Sequence, residues 1–144
     1  TLTTDLIVGF PGESRTQFDN SVEILKLIKF DKVHAAAYSE RGGTVASRKL
    51  PDTVEQREKK IRLREVNDLQ QKIQSEKNKK FLGNTLDILV EGERRGRIFG
   101  RAKNDKIVYI NDDVGKLCSN GQTVKVKINQ TSSWSLEGVP SGTD

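Results

Sequence analysis

The apolar positions of this chain change their period four times. Leu6, Ile7 and Val8 form an unbroken apolar run that ends in Gly9-Phe-Pro-Gly12, the pattern of a buried strand entering a turn. Beyond the turn, Phe18, Val22, Leu25 and Ile28 recur at helical spacing, and Ser14 with Gln17 three residues on is a capping-box start. A helix with those four residues on its buried face is therefore expected from about Ser14 to Ile28, and a second short strand over Lys32–Tyr38. Strand, helix and strand in this order imply a right-handed parallel crossover. The loops after the two strands, from Gly9 and from Ser39, then share one edge of the sheet, where α/β sheets and barrels hold ligands. Such a strand needs neighbours on both edges, and the chain offers at most one parallel partner. The expectation is the last part of a larger α/β protein.

From Pro51 to about Lys80 the period is helical again. Ile61, Leu63, Val66, Leu69 and Ile73 mark one apolar stripe, and Asp52 or Thr53 is placed to cap the helix, with Gln56 at capping-box distance from Thr53. From Phe81 onward the period shortens to two. Strands are expected at Thr85–Glu91, Arg97–Arg101, Lys106–Ile110, Thr123–Ile128 and Ser133–Glu137, separated by Gly and Asn/Asp clusters at 92–96, 104–105, 111–115 and 120–121. Val124, Val126 and Ile128 alternate with Lys125 and Lys127, the signature of a strand with one buried face. Five short strands in so few residues favour closure into a small barrel, which removes unprotected edges. The fold class expected is α+β: a β-α-β segment with a long helix, then a five-stranded antiparallel OB-like β-barrel. The divisions are 1–50, 51–80 for the connecting helix, 81–140 for the barrel, and a tail of 141–144.

Composition changes this picture modestly. Only 33% of the residues are apolar and 31% are charged, as suits small units with little core each. No apolar run approaches the length of a membrane-spanning helix and no signal-peptide pattern is present, so no membrane partner and a cytoplasmic location are expected. The net charge is +5, divided as +1, +3 and +1 over residues 1–50, 51–80 and 81–144. The excess of the middle helix reads most simply as a solvated face. In the last section Arg94, Arg95, Arg97, Arg101, Lys103 and Lys106 crowd one hairpin, which favours a polyanionic partner.

The single cysteine, Cys118, excludes an internal disulfide and any multi-cysteine metal or iron–sulfur site within the chain; it reads as a small buried hydrophobe. The single histidine, His34, reads as a packed or rim residue, and no triad or ligand set can be built around it. No catalytic residue and no metal site is expected. Glu13 reads as a helix-start carboxylate. Arg41, in the loop after the second strand, can fork to a phosphate or carboxylate or form a loop salt bridge with Glu40. Phe99 either packs in the barrel or, on the face it shares with Arg97 and Arg101, stacks on a base. Trp134 is expected in the barrel core.

Taken together, Thr4-Asp-Leu-Ile-Val-Gly-Phe-Pro-Gly-Glu13, Phe30-Asp31, Tyr38-Ser-Glu-Arg-Gly-Gly-Thr-Val-Ala46, Leu69-Gln70, Gly83, Leu89-Val-Glu-Gly92, Gly100-Arg101 and Trp134-Ser-Leu-Glu-Gly138 resemble the C-terminal part of the radical S-adenosylmethionine methylthiotransferases. The resemblance covers nearly the whole chain in one order. It implies that the first half is a segment of the (β/α) radical S-adenosylmethionine barrel and that the tail barrel is similar to the RNA-binding TRAM domain of these enzymes. By resemblance, Ile7 and Gly9 lie where the adenine of the cofactor is contacted, Tyr38 and Arg41 belong to a substrate-side loop, and tRNA is the partner of the basic hairpin. Arg41 and the basic Gly100–Lys106 loop resemble the branch that adds a methylthio group to an N6-isopentenyl-type adenosine beside the tRNA anticodon. Relatives that modify threonylcarbamoyladenosine or a ribosomal-protein aspartate are the alternatives within the family, and a stand-alone OB-like RNA-binding adaptor is the alternative outside it. The family's cofactors are S-adenosylmethionine and two 4Fe–4S clusters, whose cysteines lie upstream of the matching region. The 144-residue chain is therefore expected to bind neither and to be inactive alone, and to self-associate through the exposed strands of its truncated sheet.

Overall fold

The computed structural model describes residues 1–111 and 119–141 of the chain. Cys118 and most of the 111–115 turn lie outside these residues, as does most of the tail. The described chain divides into two compact units, Leu2–Ile73 and the remainder from Gln74.

The first unit holds β1 (Thr3–Val8), α1 (Arg15–Ile28), β2 (Lys32–Ala37), a short α2 (Val45–Lys49) and most of α3 (Gln56–Lys79). β1 and β2 pair in parallel, Thr3 opposite Lys32 and Val8 opposite Ala37, as the strand–helix–strand order requires. Alternation then sorts the two strands. Leu6, Val8, Val33, Ala35 and Ala37 turn to the core with Phe18, Val22 and Leu25 of α1 and Val66 of α3. Asp5, Ile7, His34 and Ala36 share the opposite, exposed face. His34 is thus a surface residue. α1 starts as its sequence dictates: the Gln17 N–H donates to Ser14 Oγ at 3.2 Å, and the Ser14 N–H donates to Gln17 Oε1 at 2.8 Å.

Three expectations for the helices are corrected. Ile28 is exposed, because it lies roughly a quarter-turn from the Phe18–Val22–Leu25 line and the chain leaves the helix at once through Lys29, which has φ 53°. In α3 the buried line is Lys59, Arg62, Val66, Gln70 and Ile73, successive positions three or four apart. Ile61 falls on the opposite side of the helix and is 47% exposed. The helix also begins later than its polar cap candidates suggest. Thr53 Oγ1 accepts from the Gly12 N–H at 3.0 Å and Asp52 pairs with Lys59, so both are spent on tertiary contacts.

The second unit is a closed barrel of β3 (Thr85–Arg94), β4 (Arg97–Ala102), β5 (Ile107–Ile110), β6 (Thr123–Thr131) and β7 (Leu136–Pro140), ordered β3-β4-β5-β7-β6 around the ring. Ile88, Val90, Val108, Ile110, Val126, Ile128 and Leu136 fill it. The expected all-antiparallel arrangement is corrected at one seam, where β5 and β7 run parallel. An odd number of strands cannot alternate direction all the way round a ring, so one neighbouring pair must be parallel. Glycines and bulges supply the curvature. Gly100 opposite Val90 and Gly138 opposite Ile128 each adjoin a one-residue bulge, at Glu91 and Asn129. A Cβ on Gly100 would lie 2.2 Å from the Leu89 carbonyl oxygen, and one on Gly138 2.3 Å from that of Lys127. Trp134 is not in the core: β7 begins at Leu136, and the indole stands 66% exposed in the loop before it.

Candidate functional site

The β3–β4 hairpin shows how the barrel gathers charge. Arg94 pairs with Arg97, leaving Arg95 and Gly96 as a two-residue turn with φ 55° and 74°. Two successive positive φ values match the strand twist of a tight hairpin, which ordinarily selects Asn-Gly or Gly-Gly. An arginine there costs on the order of 1 kcal/mol of backbone strain, and it sets a guanidinium at the hairpin tip.

Alternation on β4 turns Ile98 to the core and Phe99 outward. Phe99 lies opposite Tyr109 of β5, with ring centroids 6.4 Å apart, and Tyr109 lies opposite Glu137 of β7. Cations cover this aromatic strip. The Arg94 guanidinium lies 5.3 Å from the Phe99 ring centre, and that of Arg97 4.5 Å from Tyr109. Arg94, Arg95, Arg97, Tyr109, Ser135 and Glu137 line a groove of about 580 Å³.

The six cations of the hairpin are not equivalent. Arg97 Nη2 pairs with Glu137 at 2.8 Å and donates to Asn111 Oδ1 at 3.2 Å. Arg101 pairs with Asp105 at 2.8 Å and Glu91 at 3.1 Å, and the hydrogen bond it donates to Asp105 is the main cause of its raised pKa. Lys103 lies 4.0 Å from Asp87, and the Lys106 ammonium lies 5.7 Å from the Phe81 ring centre. Arg94 and Arg95 have no carboxylate partner among the described residues, so they are the pair with charge to spare for a ligand.

The sheet edge of the first unit is built differently. Gly9, with φ 69°, leaves β1 in a conformation that suits glycine. A Cβ there would lie 2.4 Å from Lys59 Cγ, so the space kept by the missing side chain is filled by the Lys59 stem. Lys59 is wholly buried; its ammonium pairs with Asp52 at 2.5 Å and lies 5.1 Å from the Tyr38 ring centre. Tyr38 in turn meets Phe10 edge-on at 5.1 Å. The Gly9 N–H donates to Glu13 Oε2 at 2.6 Å, and the same oxygen takes Arg62 Nη1 at 2.6 Å. Glu13 therefore fastens the turn to α3 rather than only opening α1. Burial pulls the Arg62 pKa down, but hydrogen bonds to Glu58 and Glu13 outweigh it and the guanidinium titrates above its ordinary value. Ile7 stands 53% exposed on the open sheet face. Arg41 is exposed and has no ion-pair partner among the described residues, while its carbonyl accepts from the Thr44 hydroxyl at 2.9 Å.

Residues 79–140 match the model of the TRAM domain. Over nearly its whole length the chain is also similar to enzymes named tRNA-2-methylthio-N(6)-dimethylallyladenosine synthase. The relative from Roseiflexus sp. (strain RS-1) is 42% identical over 146 residues, covering 99% of this chain and 30% of that protein. Those from Chloroflexus aurantiacus and Bacillus velezensis are 42% and 40% identical over 96% and 98% of this chain, which cover 30% and 28% of their own lengths. The chain thus spans about a third or less of the relatives it matches, and the match is to their C-terminal region.

The barrel brings Arg94, Arg95, Arg97 and Phe99 to one outer face, while Arg101, Lys103 and Lys106 belong to the far end of the same hairpin and its following turn. Sequence reasoning did not single out Tyr109 and Ser135. The alternation of Val108, Tyr109 and Ile110 was the available signal for Tyr109. No helix among the described residues is long and apolar enough to cross a membrane.

Proposed function

We propose that this chain is the C-terminal portion of a tRNA methylthiotransferase that acts on an N6-isopentenyl-type adenosine, and that its TRAM domain holds the tRNA. The observation that carries the reading is the similarity of about 40% across the whole chain to enzymes of that name, joined to a match to the TRAM domain over a barrel whose hairpin carries Arg94, over the Phe99 ring, and Arg95 at its tip, neither with a carboxylate partner among the described residues. Phosphates take the arginines, and the binding falls with salt as counterions are released. A cytoplasmic location follows from a tRNA substrate.

On this reading the first unit is a segment of a radical S-adenosylmethionine barrel. The support is a parallel strand pair with helices on one face only, and an exposed opposite face bearing Ile7. In such a barrel that face would be interior, and Ile7 would offer an apolar wall to the adenine. Gly9 would contribute backbone alone, since its side-chain space is taken by Lys59. The cofactor supplies the radical chemistry when bound, and Tyr38 and Arg41 stand at the same sheet edge to orient substrate. The 4Fe–4S clusters do not fit this chain: they are held by cysteine thiolates, and it has one cysteine. The open edges of β1 and β2 also give the separate chain a route to self-association.

The test has two arms. Anisotropy with an unmodified anticodon stem-loop and the 144-residue chain should show binding that weakens steeply between about 50 and 200 mM salt, and that is lost when Arg94 and Arg95 are both replaced by Glu. Salt-independent binding, or wild-type binding by the double variant, would refute the RNA role. In the full-length enzyme, Arg41→Ala should lower 2-methylthio incorporation measured by nucleoside mass spectrometry, and unchanged incorporation would remove Arg41 from the substrate loop.

A further inference from the structure

We propose that Trp134 is a base-stacking residue of the TRAM domain, and that the RNA element it takes is an unpaired nucleotide rather than a duplex. The inference rests on the reading that the groove beside it binds RNA, and it names the part of the RNA that is bound.

Trp134 is the only tryptophan of the chain, and it is 66% exposed. So large an apolar surface left in water is unusual for a small domain whose other bulky residues mostly serve the core. Its loop is not slack. Ser132 Oγ accepts from the N–H groups of Trp134 at 3.2 Å and Ser135 at 3.0 Å, and the Ser132 N–H donates to the Ser135 carbonyl at 2.9 Å. The Ser132 carbonyl is held by the Nδ2 of Asn78, a buried residue, at 2.7 Å. The indole therefore stands on a braced turn, so stacking on it orders little additional backbone.

The neighbourhood identifies the partner. Ser135, the next residue, lines the groove with Arg94, Arg95, Arg97 and Tyr109. Cations able to take phosphates thus line the groove, and an exposed aromatic able to take a base directly precedes one of its lining residues, the combination that single-stranded nucleic acid requires. A duplex would satisfy the arginines but could not engage Trp134, because the faces of its bases are stacked on one another.

A sole tryptophan makes the test direct. The 144-residue chain is titrated with a single-stranded RNA of about a dozen nucleotides, with a blunt RNA duplex of equal length, and with heparin, a polyanion without bases. The expected result is salt-dependent binding in all three cases, with quenching of Trp134 fluorescence by the single strand alone. Trp134→Ala should weaken single-strand binding about tenfold and leave duplex and heparin binding unchanged, and Trp134→Phe should restore most of the loss. Circular dichroism should be unchanged in both variants, since the side chain is exposed. Single-strand binding with unchanged fluorescence and wild-type affinity in Trp134→Ala would overturn the stacking role while leaving the RNA reading intact. Failure of both RNAs to bind would overturn the two together.

Discussion

The aliphatic stem of Lys59 occupies the space that a side chain on Gly9 would need, with Lys59 Cγ only 2.4 Å from an ideal Cβ. The two residues are fifty positions apart, one in the turn after β1 and the other in α3, and the side chain missing from the glycine is what leaves room for the stem. Gly9→Ala combines a positive φ with a clash against a buried stem. It should destabilise the first unit by about 2–4 kcal/mol in chemical denaturation. Lys59→Met keeps the stem and removes the ion pair with partly exposed Asp52, so it should cost about 1 kcal/mol or less. Lys59→Ala empties the space and should cost about 2–4 kcal/mol. Equal losses for Met and Ala would show that the charge, not the stem, is what matters.

Arg62 joins three carboxylate-bearing or backbone groups at once: Glu13 Oε2 at 2.6 Å, the Glu13 carbonyl at 3.0 Å and Glu58 Oε1 at 2.8 Å. Arg62→Ala strands a largely buried Glu13 and should cost about 3 kcal/mol. Because the Arg62 pKa is raised, its contribution is complete below the guanidinium's unfolded pKa and is lost only as strongly alkaline pH passes the folded one. The double variant Glu13→Gln, Arg62→Met should cost less than the sum of the singles; strict additivity in the same denaturation assay would contradict direct coupling.

In the barrel, Gly100→Ala and Gly138→Ala each drive a methyl group into a backbone oxygen on the adjoining strand. Neither oxygen can move without breaking its ladder. Each variant should lower the thermal midpoint of the barrel by more than about 10 °C in circular dichroism. A loss of only a few degrees would mean that the bulges at Glu91 and Asn129 can slide to make room.

Neutralising the hairpin arginines should sort them by their present partners. Arg94→Gln and Arg95→Gln should each reduce the salt slope of RNA binding by about one. Arg97→Gln and Arg101→Gln should have smaller effects, since Glu137, Glu91 and Asp105 already neutralise them. Equal slopes for all four would show that RNA displaces those carboxylates.

Much of the fold was legible because local rules agreed with tertiary ones. The Ser14–Gln17 box, the parallel strand pair and the five barrel strands all follow from capping and period. What was hidden depends on partners distant in sequence. The buried line of α3 carries Lys59, Arg62 and Gln70, which a search for apolar periodicity passes over. Gln70 is buried because its amide donates to the Phe30 carbonyl at 3.1 Å, a group forty residues away. Trp134 was misread because residue type alone argues for burial, whereas the Ser132–Ser135 turn ends the strand's alternation before it reaches the indole. At the hairpin the cluster of cations was plain in the sequence, but which of them keep free charge was not. That depends on Glu137 and Glu91, which come from other strands.

The parallel ladder between β5 and β7 spans only three residue pairs, and the groove crosses it, with Tyr109 on one bank and Ser135 and Glu137 on the other. An RNA strand gripped from both banks would act as a clasp on the barrel's weakest closure. RNA occupancy and barrel integrity would then be two readings of one equilibrium, so that the domain is most firmly shut when it is loaded.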